Sequence, residues 1–164
     1  MAITHKHVNR HLYFITVLAL TALCTTSLSA AELSGNQPRT FRFEVRLASL
    51  EKVEGWESVP GPHSGNIIWI SPEATLTNAD VNQASPGRTS DDKVCVNLLL
   101  TEDGALKLAR LTKSHIGAFV AEMIDGRVYA LPRIAAEITG PRARLDGNFT
   151  EEEAKSIADG ITAR

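Results

Sequence analysis

The sequence contains little that would support a disulfide-linked fold, a membrane anchor or binding to nucleic acid. Its 164 residues include two cysteines, and the net charge is −2, so there is no basic excess for phosphate groups. The longest apolar run, residues 12–24, has about 13 residues, and a membrane-spanning helix needs roughly 20. These shortages favour a small exported or soluble domain that is stabilised by its own core.

The first part of the chain has the layout of a secretory signal peptide. Lys6 and Arg10 precede the apolar run, and small residues follow it. This pattern predicts a signal peptide over residues 1–31 that is cleaved after Ala31, with Ser29 as the alternative position. The mature chain is then expected to be periplasmic or secreted and to have no transmembrane segment.

The mature chain predicted in this way begins with a polar leader, residues 32–39, which contains Gly and Pro. It carries a net charge of about −4, which excludes nucleic acid as a natural partner. Only Cys95 remains, so we expect no internal disulfide. The remaining residues, 40–164, are enough for one domain.

Alternating apolar and polar residues predict a series of short strands. Phe41, Phe43, Val45 and Leu47 share one face of a strand over residues 40–48. Residues 93–101 are apolar on nearly both faces, which indicates a central strand. Further strands are predicted over residues 66–71, 118–124, 127–131, 133–140 and 142–145, and surface loops over residues 49–65 and 85–92.

Capping signals predict where the helices begin. Thr77 followed by Asp80 predicts a short helix through about Ala84, and Thr101 caps a helix over residues 102–114. Thr150 and Glu153 form a capping box for an amphipathic C-terminal helix, and Asp125-Gly126 predicts a type I′ hairpin turn. The predicted fold is a single α+β domain with a mainly antiparallel sheet and two principal helices packed on it.

The residues that most often carry catalysis are isolated in this sequence. His63 and Ser64 are neighbours in a loop, but the serine is not in a GxSxG elbow. His115 follows a helix, and Cys95 lies in the apolar central strand, where it is expected to be a small buried hydrophobic residue. We therefore predict no catalytic residue, no metal site and no cofactor.

Basic and apolar side chains around the predicted hairpin form the candidate binding surface. Pro132 lacks a backbone donor, which confines it to a sheet edge or a bulge. We therefore expect a sheet edge near residues 131–138 to bind a peptide or partner protein. The candidate residues are Arg127, Tyr129, Leu131, Pro132, Arg133, Arg142 and Arg144.

Three motifs in the second half of the chain resemble the head subdomain of SecD, an accessory subunit of the bacterial protein-export translocase. They are "LTEDGALKLARLT", "DGRVYALPRIAAEITG" and "GNFTEEEAKSIA", and the resemblance covers roughly residues 66 to 162. It implies contact with emerging, unfolded polypeptide, and it supplies no catalytic residue. The chain differs from SecD because it has no series of membrane-spanning segments.

The sequence thus predicts an exported, non-catalytic binding module that contacts unfolded polypeptide or an envelope protein. Two alternatives remain open at this point. One is a small exported hydrolase that uses Ser64 and His63. The other is a structural adaptor for one envelope partner, with the loop over residues 49–65 as its adaptable part.

Overall fold

A computed structural model describes residues 39–63 and 65–163. The predicted signal peptide, nearly all of the predicted leader, and Ser64 lie outside the described residues. The strands are β1 (Phe43–Ser49), β2 (Glu57–Pro60), β3 (Ile67–Ile70), β4 (Leu76–Thr77), β5 (Val81–Arg88), β6 (Val94–Leu100), β7 (Phe119–Ile124), β8 (Arg127–Ala130) and β9 (Arg142–Leu145). The two α-helices are α1 (Glu102–Ser114) and α2 (Glu151–Thr162).

The strands form two antiparallel sheets. The first has the order β2-β3-β1-β7-β8, with the short β4 also paired to β1, and the second has the order β5-β6-β9. The prediction of an α+β domain with a mainly antiparallel sheet and two principal helices is confirmed, although the strands divide between two sheets. The strand that is apolar on both faces, β6, is central in the second sheet, as predicted.

The main hydrophobic core lies between the two sheets and the helices. Phe43, Val45 and Ile124 reach it from the first sheet, and Val96 and Leu98 reach it from the second. Helix α2 adds the stripe of Ala154, Ile157, Ala158 and Ile161, as its amphipathic pattern predicts. A second buried cluster lies on the other face of the first sheet and contains Ala48, Val59, Ile68, Ile70, Ala121, Met123 and Val128.

The predicted caps and the predicted hairpin are formed. The Thr101 hydroxyl accepts a hydrogen bond from the Gly104 N–H, and Thr150 and Glu153 form the complete capping box of α2. Asp125 and Gly126 have φ values of 50° and 80°, which is the left-handed pair that a type I′ turn requires.

The helix predicted from Thr77 to Ala84 is wrong. The capping box forms, but the residues after it make a single 3-10 turn, Asn78–Asp80, and the chain continues directly into β5. Seven residues of β5 pair with β6, so backbone pairing between strands replaces helix propagation. The predicted loop over residues 85–92 accordingly begins within a strand.

Two further segments differ from their prediction. The loop predicted over residues 49–65 contains the edge strand β2, which pairs with β3 along its whole length. The strand predicted over residues 133–140 is wrong, because the segment makes only an isolated bridge between Arg133 and Phe119. Its chain crosses from the first sheet to β9 in an irregular conformation.

Candidate functional site

A cleft of about 630 Å³ opens between the two sheets, and we call it the inter-sheet cleft. Phe43 and Val45 line it from β1, Leu98 and Ala143 line it from β6 and β9, and Leu108 lines it from α1. Its walls are therefore mainly the apolar side chains of the main core. A space of this size is in the range of protein sites that bind small molecules or short stretches of chain.

The cleft is bordered by residues 131–141, which we call the crossing segment. Its first part is tied to the start of β7, since the Val120 N–H donates to the Pro132 carbonyl and the Ile134 N–H donates to the Ala118 carbonyl. Its far end is tied to α1, where the Ile138 N–H donates to the Thr112 hydroxyl at 2.9 Å. Both ends of the segment are thus fixed to the fold.

The middle of the crossing segment is exposed and has free backbone donors. Ala135, Ala136 and Glu137 are all exposed. Within residues 39–63 and 65–163, no hydrogen-bond partner is found for their N–H groups. A short row of unpaired donors beside an apolar cleft is suited to pairing with the backbone of an added extended chain.

Glu122 is the acidic side chain that reaches the cleft from β7. It lies directly opposite Val45 on β1, so it shares the core-facing side of the first sheet with apolar residues. Its Oε2 accepts a hydrogen bond from the Asp146 N–H at 3.1 Å. In the described part of the chain, no hydrogen bond or ion pair to its other carboxyl oxygen is found.

The surroundings of Glu122 favour its neutral form. Loss of hydration on burial raises the pKa of the Glu122 carboxyl from its usual range to about 8. The hydrogen bond from the Asp146 backbone opposes this rise, the negative charge of Asp146 adds to it, and Arg144 opposes it. The carboxyl group is therefore mostly protonated at neutral pH.

Among the described residues at the rim of the cleft, some charged side chains form ion pairs and two arginines do not. Arg144 pairs with Asp146 at 2.7 Å, and Glu137 lies 3.9 Å from Lys113. Arg133 donates from Nε to the Gly117 carbonyl, and Arg142 also lines the cleft. Among the described residues, no carboxylate lies within ion-pair distance of either of these two guanidinium groups. The rim thus has an excess of positive charge while Glu122 is neutral.

The structure separates the predicted site residues into three groups. Pro132, Arg133, Arg142 and Arg144 line the inter-sheet cleft. Arg127 and Tyr129 lie instead at a smaller pocket of about 350 Å³ beside α2, and the Arg127 guanidinium lies over the Tyr129 ring. Leu131 packs against the second buried cluster. The predicted residues are therefore not one continuous surface.

Glu122 is the residue that the sequence reasoning missed. In the strand "FVAEMI" it alternates with Val120 and Ile124, so it occupies a position where an apolar residue is expected. That single acid on the inward side of a strand was the signal that could have identified it.

The structure gives no support to a catalytic or metal site among the described residues. His63 is exposed in a loop, and its neighbour Ser64 is not described. Within residues 39–63 and 65–163, no group of three or more His, Cys, Asp or Glu side chains is placed to hold a metal ion. Cys95 is fully buried, and burial raises the pKa of its thiol, so it is a weak nucleophile there.

No helix in the described part of the chain is long and apolar enough to span a bilayer. The predicted signal peptide is not among those residues.

Comparison with known proteins identifies relatives of the chain. A family model for the SecDF P1 head subdomain matches residues 56–163. The protein translocase subunit SecD of Acidaminococcus fermentans is 34% identical over 83 residues, which are 51% of this chain and 20% of that protein. SecDF of Thermus thermophilus is 39% identical over 83 residues, which are 51% of this chain and 11% of that protein. SecD of Magnetococcus marinus is 40% identical over 124 residues, 76% of this chain and 24% of that protein.

Two solved structures have a similar fold. A crystal structure of SecDF in a super-membrane-facing form superposes with a TM-score of 0.62 at 25% identity and covers 77% of this chain and 19% of that one. A structure of SecDF, described as a membrane component that enhances protein export, gives a TM-score of 0.61 at 23% identity and covers 77% and 64% of the two chains. The chain spans about a quarter or less of the length of the three translocase subunits. Those subunits do not form a known family of enzymes.

Proposed function

Because the chain belongs to the SecDF P1 head subdomain family, we propose that it is a binding module of protein export that holds extended, unfolded polypeptide in the inter-sheet cleft. The module acts outside the cytoplasm, after export by the predicted signal peptide. It carries out no chemical reaction on the bound chain. It limits backward movement of the chain by occupying short stretches of it.

The observation that carries this proposal is the exposed middle of the crossing segment beside an apolar cleft. An unfolded chain presents backbone donors and acceptors together with apolar side chains, without a fixed sequence. The free N–H groups of Ala135, Ala136 and Glu137 provide sequence-independent contacts, and the apolar cleft wall accepts side chains of varied shape. This combination fits an extended polypeptide better than a compact ligand with one set of polar groups.

The charge at the rim supports the same kind of ligand. Arg133 and Arg142 add positive charge at the mouth of the cleft, although the chain as a whole is acidic. The proposed ligand is therefore an apolar or mildly acidic stretch of chain, and strongly basic stretches are disfavoured.

Site-specific photocrosslinking tests this function. A photoreactive residue is placed at Ala136, in the exposed middle of the crossing segment, or at Glu152, an exposed position on α2. The probe is reduced, carboxymethylated α-lactalbumin, which remains unfolded in solution. We expect about tenfold more crosslinked product from position 136 than from position 152, because only the first borders the cleft.

Equal crosslinking from both positions would mean that the cleft is not the binding site. A different result would support the adaptor alternative: the unfolded probe is crosslinked from neither position, and one stoichiometric partner is captured in cells. Native, disulfide-bonded α-lactalbumin is the control ligand, since it exposes no extended chain.

A further inference from the structure

The carboxyl group of Glu122 lies in the cleft, and in the described part of the chain only one of its two oxygens has a hydrogen-bond partner. Glu122 is held by a single hydrogen bond, from the Asp146 N–H to Oε2. The second carboxyl oxygen has no partner among the described residues, and the side chain lines the cleft. Glu122 is half-buried, so this oxygen is accessible from the cleft and is not a buried atom without a partner. Such a group in a cleft is therefore a candidate contact for a ligand.

The protonation state of Glu122 decides which kind of ligand atom can form a hydrogen bond with it. Burial keeps the carboxyl neutral at neutral pH, so its unpartnered side can donate an O–H bond. The natural acceptor in a protein ligand is a backbone carbonyl. An ionised Glu122 has no proton to donate, and it would repel that carbonyl oxygen.

We propose that Glu122, carrying a proton, donates a hydrogen bond to a backbone carbonyl of the chain bound in the inter-sheet cleft. This inference rests on the proposed function, and it adds a specific contact and a condition for binding. Binding then requires a neutral carboxyl group, so the polypeptide and the proton bind together. The free N–H groups of the crossing segment and the Glu122 O–H would contact successive polar groups of the same extended backbone.

The charged groups around the cleft define how this contact responds to pH. Arg144 and Asp146 face Glu122 from β9 and the residue after it. Arg142 lines the cleft from the same strand, and Arg133 and Glu137 line it from the crossing segment. On β1 and α1 the cleft-lining residues are Phe43, Val45, Leu108 and Thr112, none of which titrates near neutral pH. The pKa of Glu122, about 8, lies inside the pH range of the test below, so this carboxyl group changes its protonation state within that range.

The pH dependence of binding by the whole protein tests the inference. The labelled probe is again reduced, carboxymethylated α-lactalbumin, and its fluorescence anisotropy gives the affinity at about pH 6.5 and about pH 9.5. We expect the affinity of the wild-type protein to fall about tenfold over this range as Glu122 loses its proton. Glu122→Gln keeps an N–H donor at every pH and should bind with little pH dependence. Glu152→Gln, an exposed change on α2, should behave like the wild type.

Several outcomes would overturn the inference. Wild-type binding that does not change with pH, or a Glu122→Gln variant that loses affinity as the wild type does, would remove Glu122 from the contact while leaving the proposed function intact. No binding of the probe at either pH would reject the proposed function and the inference together. Circular dichroism at each pH shows whether the variants are folded. Glu122→Asp is a second variant, which shortens the side chain but keeps the acid. We expect it to bind more weakly than the wild type and still to depend on pH.

Discussion

A single acidic residue on an apolar strand face connects the sequence of this domain to its candidate site. Glu122 alternates with Val120 and Ile124, and the register of β7 against β1 places it opposite Val45. The strand itself was predictable, because alternation and the following Asp125-Gly126 turn both indicate it. The burial of the Glu122 carboxyl group was not predictable, because it depends on β9 and the crossing segment, which come from later in the chain.

The first prediction concerns the effect of Glu122 on stability. The unfolded chain loses the Glu122 proton above about pH 4.3, whereas the folded protein keeps it up to a pKa of about 8. The folded state thus binds more protons between these values, so the free energy of unfolding falls with rising pH, by at most about 1.4 kcal/mol per unit from this group. Glu122→Gln should remove this slope, so that near pH 8 it is more stable than the wild type by at most about 5 kcal/mol, which is the slope multiplied by the roughly four units between the two pKa values.

Urea unfolding at a series of pH values measures this effect. The amide of the variant can still accept the Asp146 N–H, so its packing is preserved. Glu152→Gln is the matched control, because Glu152 is exposed and its change should leave the slope of the wild type intact. Parallel curves for the wild type and Glu122→Gln would show that the carboxyl is ionised in the folded protein.

At the scale of elements, the helix predicted from Thr77 and the strand predicted over residues 133–140 were both wrong because contacts with distant residues outweighed the local signals. The Thr77 and Asp80 cap forms as its sequence indicates. The helix stops after one turn because seven of the residues 81–88 pair antiparallel with β6, which a short helix could not match. Pro86 is compatible with this strand because β5 is at the edge of its sheet.

The crossing segment shows the opposite outcome. Its alternating residues predict a strand, yet only its first part reaches a free edge, at the start of β7. The Thr112 hydroxyl then takes the Ile138 N–H, so this part of the segment bonds to a helix side chain and not to a strand. Alternation in a sequence shows that a strand is locally possible, but it does not show that a partner strand is within reach.

The second prediction concerns the packing of α1 on the 3-10 turn. Gly104, in the first turn of α1, lies so close to Asp80 that a Cβ there would be 2.5 Å from the Asp80 carbonyl oxygen. Asp80 is buried, and its carboxylate binds Lys107 of the same helix at 2.6 Å, so neither side can move freely. Gly104→Ala should lower the free energy of unfolding by about 2 kcal/mol, although alanine is the better helix former by about 1 kcal/mol.

Urea unfolding monitored by circular dichroism tests this balance. Leu106→Ala on the same helix is a suitable control, since Leu106 is half exposed and its loss should change stability much less than the clash at position 104. A Gly104→Ala protein more stable than the wild type would mean that helix propensity outweighs the contact, and that α1 and the turn are packed less closely than the structure indicates.

At the scale of the whole molecule, the sequence predicted the class of the fold and most of its elements, but not the division into two sheets. Strand order depends on contacts between distant residues, such as those that pair β1 with β7, and periodicity within one segment carries no information about them. For the same reason the sequence indicated the candidate residues, but it could not predict that they divide between the cleft and the smaller pocket. The family match begins at residue 56, yet β1, which precedes it, lies in the middle of the first sheet.

The third prediction follows from the shared core. Both tryptophans, Trp56 and Trp69, lie on the side of the first sheet formed by β2 and β3, whereas α2 packs on β5 and β6 of the second. Since the main core takes side chains from both sheets and both helices, the two sheets should unfold together. Tryptophan fluorescence and helical circular dichroism should therefore give the same urea midpoint.

A core variant makes this test more demanding. Val96→Ala removes two methyl groups from a fully buried position in the second sheet, and it should cost about 2 kcal/mol. If the sheets form one cooperative unit, the fluorescence midpoint falls by as much as the circular dichroism midpoint, although both tryptophans lie in the other part of the fold. A variant whose fluorescence midpoint stays at the wild-type value would show that the first sheet unfolds independently, and the inter-sheet cleft would then join two separately stable halves.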